Sequence, residues 1–390
     1  MVILKRENLK VKKILIISYS PIARDPRILR QIEALENKYD ISVCGYGEKP
    51  HGKNIAFYPV PHPVPARGKT RIYKRANGLF NALLKRFEVI YWNKEPLKYT
   101  LHCFEGTAFD LIVANDLEAL PVALRLAGDG PVLFDAHEFY PGQFGRKHIF
   151  YNEMVKYFCK RCIPKARKMM TVCDGIANEY KRLHSVEPVV VTNAPDYEDL
   201  APNPLDPEII RIVHHGGAIE SRRIETMIQL MDYLDDKYTL DFLLLPTQPE
   251  YYAKLKRSGS NNKKIRFLDP VKTSEIATAT NKYDIGLYIL KPGNFNQKHA
   301  LPNKFFEFIQ ARLAVAIGPS PEMAKIVREN DLGVVAKDFA PESLAEEIKK
   351  LTAEDIMRFK RNSHKVAKEL SAQKNKATIA RLAAECLEDT

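Results

Sequence analysis

Short β-branched runs alternate with amphipathic helices on both sides of a proline-rich break, and this pattern predicts an α/β fold of two Rossmann-like lobes. Size agrees, because 390 residues exceed what one core usually fills and suit two domains of about 150 to 200 residues. The runs are continuously apolar rather than alternating, as expected for parallel strands covered on both faces.

The first strand is read at 13–18. The helix after it opens at Asp25-Pro26, where Asp caps and Pro takes the first helical position. Strands follow at 40–46 and 110–114, then a helix at 117–126, a strand at 131–136, and a strand at 168–172 with its helix at 175–183. The pattern breaks at 193–207, where Pro195, Pro202, Pro204 and Pro207 interrupt it. Beyond the break, strands are read at 209–214, 240–245, 265–268, 285–289 and 314–317, with helices at 224–234 and 304–311. From 342 to 387 the pattern is helical. The expected division is an N-terminal lobe at 1–195, a linker at 196–208 and a C-terminal lobe at 209–371. A last helix, about 372–390, folds back onto the first lobe.

Hydrophobic content of 45% and charged content of 28% exclude disorder, collagen-like repeats and an integral membrane protein. A formal net charge of +12 favours an anionic partner: nucleic acid, an anionic membrane surface or a phosphate-bearing substrate. No zinc-finger spacing, aromatic RNA-binding motif or basic tail accompanies the charge, so nucleic acid is not expected. Cys159 and Cys162 form the one C-x-x-C pair among six cysteines. They read as reduced surface thiols one helical turn apart, consistent with a cytosolic compartment. Residues 1–13 are charged, and the apolar run 14–17 is too short for a signal-peptide core or a membrane span, so the chain is not expected to cross a membrane.

Rossmann-like sheets bind ligands at the carboxyl ends of their strands, where helix N-termini offer N–H groups to anions. Two loops in the second half meet that requirement. In His214-His-Gly-Gly-Ala-Ile-Glu-Ser-Arg-Arg223, a strand ends at Gly216 and Gly217, which let a diphosphate approach the backbone, with Arg222 just before the next helix. A plain glycine turn with a solvated arginine is the other reading. In His299-Ala-Leu-Pro-Asn-Lys-Phe-Phe-Glu-Phe308, Pro302 and Asn303 start a helix, Lys304 adds a cation there, and Glu307 follows one turn later. That carboxylate is suited to a pair of ribose hydroxyls, or else is an ordinary helix acid.

With both loops present in order, the chain resembles the retaining GT-B glycosyltransferases of family four, whose two Rossmann-like lobes face a central cleft. The resemblance runs over nearly the whole length. It rests on 24–35, on Phe134-Asp-Ala-His-Glu-Phe-Tyr-Pro141, on 172–177 and 189–196, and most specifically on Leu301-Pro-Asn-Lys-Phe-Phe-Glu-Phe308. It implies that Arg222 and Lys304 take the donor diphosphate with amides near Gly216, Gly217 and Asn303, alongside His299, Leu301 and Pro302. Glu307 takes the ribose, the 267–271 segment ending at Val271 lies at the nucleotide base, and His137 stands beside the transferred sugar. His137 and Glu307 are thus the residues carrying the reaction. Two positions depart from the pattern. His299 stands where relatives often carry a glutamate, and Gly217 stands where they carry an arginine, with Arg222 in their lysine position.

Arg24, Asp25, Arg27 and Glu138 are candidate acceptor ligands. The bland reading makes Asp25 a helix cap, leaves the arginines in solvent and binds Glu138 to local backbone. The stretch 67–98 interleaves Arg67, Lys69, Arg71, Lys74, Arg75, Lys85 and Arg86 with Tyr73, Leu79, Phe80, Leu83, Leu84, Phe87 and Trp92. It reads either as a surface for anionic lipid or as a solvated basic helix face.

The resemblance therefore implies hexosyl transfer with retention from a UDP- or GDP-linked sugar to a glycan or lipid-linked acceptor. Bacterial-type surface polysaccharide or glycolipid synthesis, at the inner face of the plasma membrane, is the expected setting. No Asp-x-Asp motif is evident, so neither metal nor cofactor is expected and cationic side chains serve the diphosphate. A non-catalytic GT-B-like scaffold and a GT-B-like sugar-nucleotide epimerase are the alternatives.

Overall fold

The computed structural model describes residues 11–62, 68–143 and 149–388, with the backbone alone at 69–75, 79 and 149. The chain forms two compact units: residues 1–172, 176–191 and 376–390 make the first, and 173–175 with 192–375 make the second.

In the first unit β1 (Lys13–Pro21), α1 (Pro26–Leu35), β2 (Asp40–Tyr46) and β3 (Ala56–Pro59) are followed by α2 (Gly68–Leu83), α3 (Phe87–Trp92) and α4 (Glu95–Phe104). Then come β4 (Leu111–Asn115), α5 (Asp116–Ala127), β5 (Val132–Ala136), α6 (Ile149–Cys162), β6 (Lys168–Thr171), α7 (Asp174–His184) and β7 (Val189–Val190). The strands run parallel in the order β3-β2-β1-β4-β5-β6-β7. Every residue of β4 and β5 is buried, which is why these runs are apolar without alternation.

The second unit holds β8 (Ile210–Gly217), α8 (Glu225–Leu230), β9 (Tyr238–Leu245), α9 (Pro249–Gly259), β10 (Ile265–Leu268), α10 (Ile276–Thr280) and β11 (Ile285–Tyr288). It continues with α11 (Phe295–Lys298), α12 (Asn303–Gln310), β12 (Ala314–Ile317), α13 (Pro321–Glu329), β13 (Gly333–Val335), α14 (Pro341–Lys349) and α15 (Ala353–Val366). Its parallel order, β10-β9-β8-β11-β12-β13, repeats that of the first sheet without an equivalent of the edge strand β7. Both sheets therefore reverse direction of growth at one place, between β1 and β4 and between β8 and β11, and ligands bind open α/β sheets at such a switch point.

The last helix, α16 (Ala372–Glu388), buries Ile379, Leu382, Ala383 and Leu387 in the core of the first unit, against Ile14, Ile16, Val113 and Leu133. The proline-rich stretch is fastened to the second unit: the fully buried Arg312 donates to the carbonyls of Leu200 (3.0 Å) and Glu198 (2.5 Å). One expectation is corrected. The helix expected at 224–234 stops at Leu230 and tightens into a 3-10 turn at Met231–Tyr233, as helix ends often do. The short strands β3 and β13 and the helix α13 were not anticipated.

Candidate active site

The switch point of the second sheet gathers most of the residues singled out in that half. β8 ends on His214, His215, Gly216 and Gly217, and α12 begins at Asn303 one strand away, after β11. Gly216 has φ +114°, and a Cβ there would lie 3.0 Å from the Lys304 Nζ and 4.0 Å from an Arg222 Nη. Only glycine adopts that backbone without strain and leaves the cations room. Arg222 closes the turn after β8 and donates to the Gly217 carbonyl at 3.5 Å. Pro302 precedes α12 and offers no capping side-chain oxygen to the amides of its first turn.

Lys304 is buried, and its ammonium lies 5.0 Å from the centre of the Tyr288 ring and 3.3 Å from His214 Nε2. The other ring nitrogen of His214 sits 2.8 Å from the Leu287 carbonyl. A carbonyl only accepts, so Nδ1 carries the proton and Nε2 accepts from the lysine. Burial, with Lys304 next, holds His214 neutral far below the usual histidine range. Burial and then the Arg222 charge push Lys304 down to about 7, against the pull of Glu307. Burial lifts Glu307 to about 7, opposed by Lys304, and its carboxylate lies 3.5 Å from His215 Nε2. That nitrogen has no hydrogen-bond partner among the described residues, and burial followed by Lys304 lowers His215 to about 3. The arrangement is a guanidinium and a buried amine beside a glycine strand end and a helix start, a combination chemically suited to a polyanion.

Of the other residues read for this site, Leu301 is buried and Val271 is half-buried in the loop after β10. His299 is held by the Glu322 carboxylate, 2.8 Å from its Nδ1. His214, His215 and Tyr288 were not singled out. Two polar residues closing a buried strand were the available signal, but their partners come from β11 and α12.

In the first unit a second polar cluster occupies the other switch point. Asp135, at the end of β5, is fully buried and takes two hydrogen bonds from Arg27, at 2.6 and 2.5 Å, and one from Gln31 at 2.7 Å. His137 lies between carboxylates, its Nε2 3.5 Å from Asp135 and its Nδ1 3.3 Å from Asp116. Burial opposes its charged form, but Asp116 and then Asp135 outweigh it and raise the imidazole above its ordinary value. Asp116 opens α5 with φ +66° and accepts from the Tyr140 hydroxyl at 2.5 Å. A non-glycine residue in that conformation is strained, a condition common at functional sites. A cavity of about 340 Å³ adjoins the cluster, lined by the polar Asp116, His137 and Glu138 and the apolar Leu117, Met154 and Phe158 among others. Burial, then Asp116, raises Glu138.

Arg27 is thus tied to Asp135 and to the Val191 carbonyl at 2.8 Å rather than offered to an acceptor, because a bidentate buried ion pair satisfies its guanidinium. Asp25 caps α1, accepting from the Arg27 and Ile28 amides at 3.0 and 3.4 Å. Arg24 is exposed on the turn before it. In the basic stretch, Phe80, Leu83, Leu84, Lys85 and Arg86 are exposed, whereas Phe87 is buried. Arg67 and the side chains of Lys69, Arg71, Tyr73, Lys74, Arg75 and Leu79 lie outside the described residues. Cys159 and Cys162 face inward on α6 instead of outward, and burial pushes their thiols up to about 12 and about 11. Among the described residues no helix is long and apolar enough to cross a membrane, and no His, Cys, Asp or Glu cluster is arranged to hold a metal ion.

The fold so defined is that of the GT-B glycosyltransferases. Sucrose-phosphate synthase from Thermosynechococcus elongatus superposes with a TM-score of 0.71 at 12% identity, covering 97% of this chain and 100% of that one. HepE of Anabaena, solved in complex with UDP-glucose, gives 0.68 at 12% identity over 96% and 99%. WaaG, a glycosyltransferase involved in lipopolysaccharide biosynthesis, gives 0.61 at 12% identity over 94% and 99%. No family model and no curated protein matches the sequence.

Proposed function

We propose that the protein is a glycosyltransferase that moves a hexose from a UDP- or GDP-linked donor to a glycan or lipid-linked acceptor. Lys304 carries the reading. It is a buried amine beside Arg222, facing a neutral histidine nitrogen and, among the described residues, in no ion pair. Burial and the neighbouring Arg222 charge oppose protonation of this amine more than Glu307 favours it, and an arriving diphosphate offsets that cost. Structures with this fold carry UDP or UDP-glucose, as HepE does.

In this reading the diphosphate rests on Arg222, Lys304, the Gly216-Gly217 backbone and the amides of Asn303 and Lys304, and Glu307 accepts from the ribose. Val271 lies by the base, with His299, Leu301 and Pro302 shaping the loop. As the bond from the anomeric carbon to the phosphate oxygen breaks, negative charge grows on groups these cations already face, without reorganisation. The acceptor lies in the first unit's cavity, where Glu138 and Asp116 bind hydroxyls, with Arg24 at the approach, and His137 positions the transferred sugar. The acceptor oxygen bonds to the anomeric carbon with retention, and its proton passes to the departing phosphate. Cationic side chains take the place of a metal, and the exposed Phe80, Leu83, Leu84, Lys85 and Arg86 rest on the anionic inner face of the membrane where surface polysaccharide or glycolipid is made.

Incubation with a panel of UDP- and GDP-sugars tests this by following nucleoside diphosphate release and the anomeric proton of the product by NMR. Release that persists in chelator, gives a retained anomer and disappears in Glu307→Ala is expected. An inverted product would remove the retaining mechanism, and no release from any donor would remove the activity.

A further inference from the structure

Lys304 is faced by His214 from β8, Arg222 from the turn after β8, Tyr288 from β11 and Glu307 from its own helix. Arg222 repels the ammonium and Tyr288 offers a ring face, so the contact that fixes the nitrogen's position is the 3.3 Å hydrogen bond to His214 Nε2. That bond exists only while the imidazole is neutral and protonated on Nδ1, a state enforced by the Leu287 carbonyl at 2.8 Å. The His214 ring lies 5° from parallel with Tyr288, which fixes its plane as well. The lysine is therefore aimed by one nitrogen of one residue, beside the glycine strand end that leaves it space.

Building on the diphosphate reading above, we propose that His214 is the positioning residue of this anion seat. It holds the amine of Lys304 toward the space an anion enters, so that binding of a diphosphate draws a proton from solvent onto that amine. The imidazole keeps its own proton throughout. It accepts from the lysine in both states and never touches the ligand. The lysine value of about 7 without an anion fits this account, since an arriving diphosphate raises it.

Calorimetric titration of UDP, GDP and ADP at pH 8, in two buffers of different ionisation enthalpy, tests the proposal on the intact protein and on His214→Phe and His214→Gln. The intact protein is expected to bind at least one diphosphate with uptake of a fraction of a proton. His214→Phe, which keeps the ring and loses the acceptor, should weaken binding about tenfold or more and abolish uptake. His214→Gln, which restores an acceptor, should recover most of both. Binding by the intact protein without proton uptake overturns the role of His214 while leaving the nucleotide reading in place, and this measurement needs no variant to fold. Unchanged affinity and uptake in a folded His214→Phe does the same. Failure of the intact protein to bind any diphosphate overturns both.

Discussion

Asp116 shows how one residue's backbone, charge and neighbour combine. Its φ of +66° opens α5 against the usual preference, and its carboxylate meets the Tyr140 hydroxyl and faces His137 Nδ1 at 3.3 Å. Asparagine tolerates the left-handed region and still accepts from Tyr140, so Asp116→Asn should change stability by no more than about 0.5 kcal/mol. It removes the charge that does most to raise the imidazole, so His137 should titrate at lower pH in an NMR titration. An unmoved titration would mean that Asp135 alone sets the proton on His137. At this scale the sequence was readable where chemistry is local: the Gly216-Gly217 pair, Lys304, and Asp25 capping α1. It was not readable where the partner arrives from another strand. The Leu287 carbonyl that orients His214, and the Asp135 that claims Arg27, are known only once the sheet is assembled.

The element that matters most is α12. It carries Lys304 in its first turn and Glu307 in the next, both displaced to about 7 from opposite directions by burial. Glu307 is raised, so the folded state holds its proton longer than the unfolded chain, and stability from this group falls as pH rises from about 4.3 to 7. Lys304 is lowered, so the unfolded chain holds the proton longer, and stability rises again from about pH 7 to 10.4. The ligand-free protein should therefore show a dip in melting temperature near neutral pH, and Lys304→Met should flatten its alkaline limb. A monotonic profile through neutrality in the unaltered protein would contradict the burial of both groups. The start of α12 was legible because Pro302 and Asn303 mark it. The end of α8 was not, because the apolar spacing at 224–234 continues while the backbone tightens at Met231.

Across the whole molecule, two sheets of the same strand order each place a polar cluster where the order reverses, which is why loops distant in sequence supply each site. The chain leaves the first unit after Val191 and returns at Lys376, so α16 belongs with strands laid down at the other end of the sequence. Ile379, Leu382 and Leu387 there bury side chains worth about 1.5–3 kcal/mol each. A chain ending before Ala372 should thus lose several kcal/mol, of the order of a whole domain's margin, and the first unit should become protease-sensitive. Resistance equal to the full chain would contradict this packing. The alternating pattern made both sheets legible. The fastening of the proline-rich stretch by Arg312 was not, since it depends on a buried guanidinium reaching Leu200 and Glu198. Gly216, Arg222, Lys304 and the start of α12 form the proposed polyanion seat. It is tested most directly by the melting temperature in UDP and GDP, for the unaltered protein and for Lys304→Met. At least one diphosphate, at about 100 times its dissociation constant, is expected to stabilise the unaltered protein by about 2.7 kcal/mol, and the variant to lose most of this rise. An equal rise in both proteins, or none in either, would contradict it.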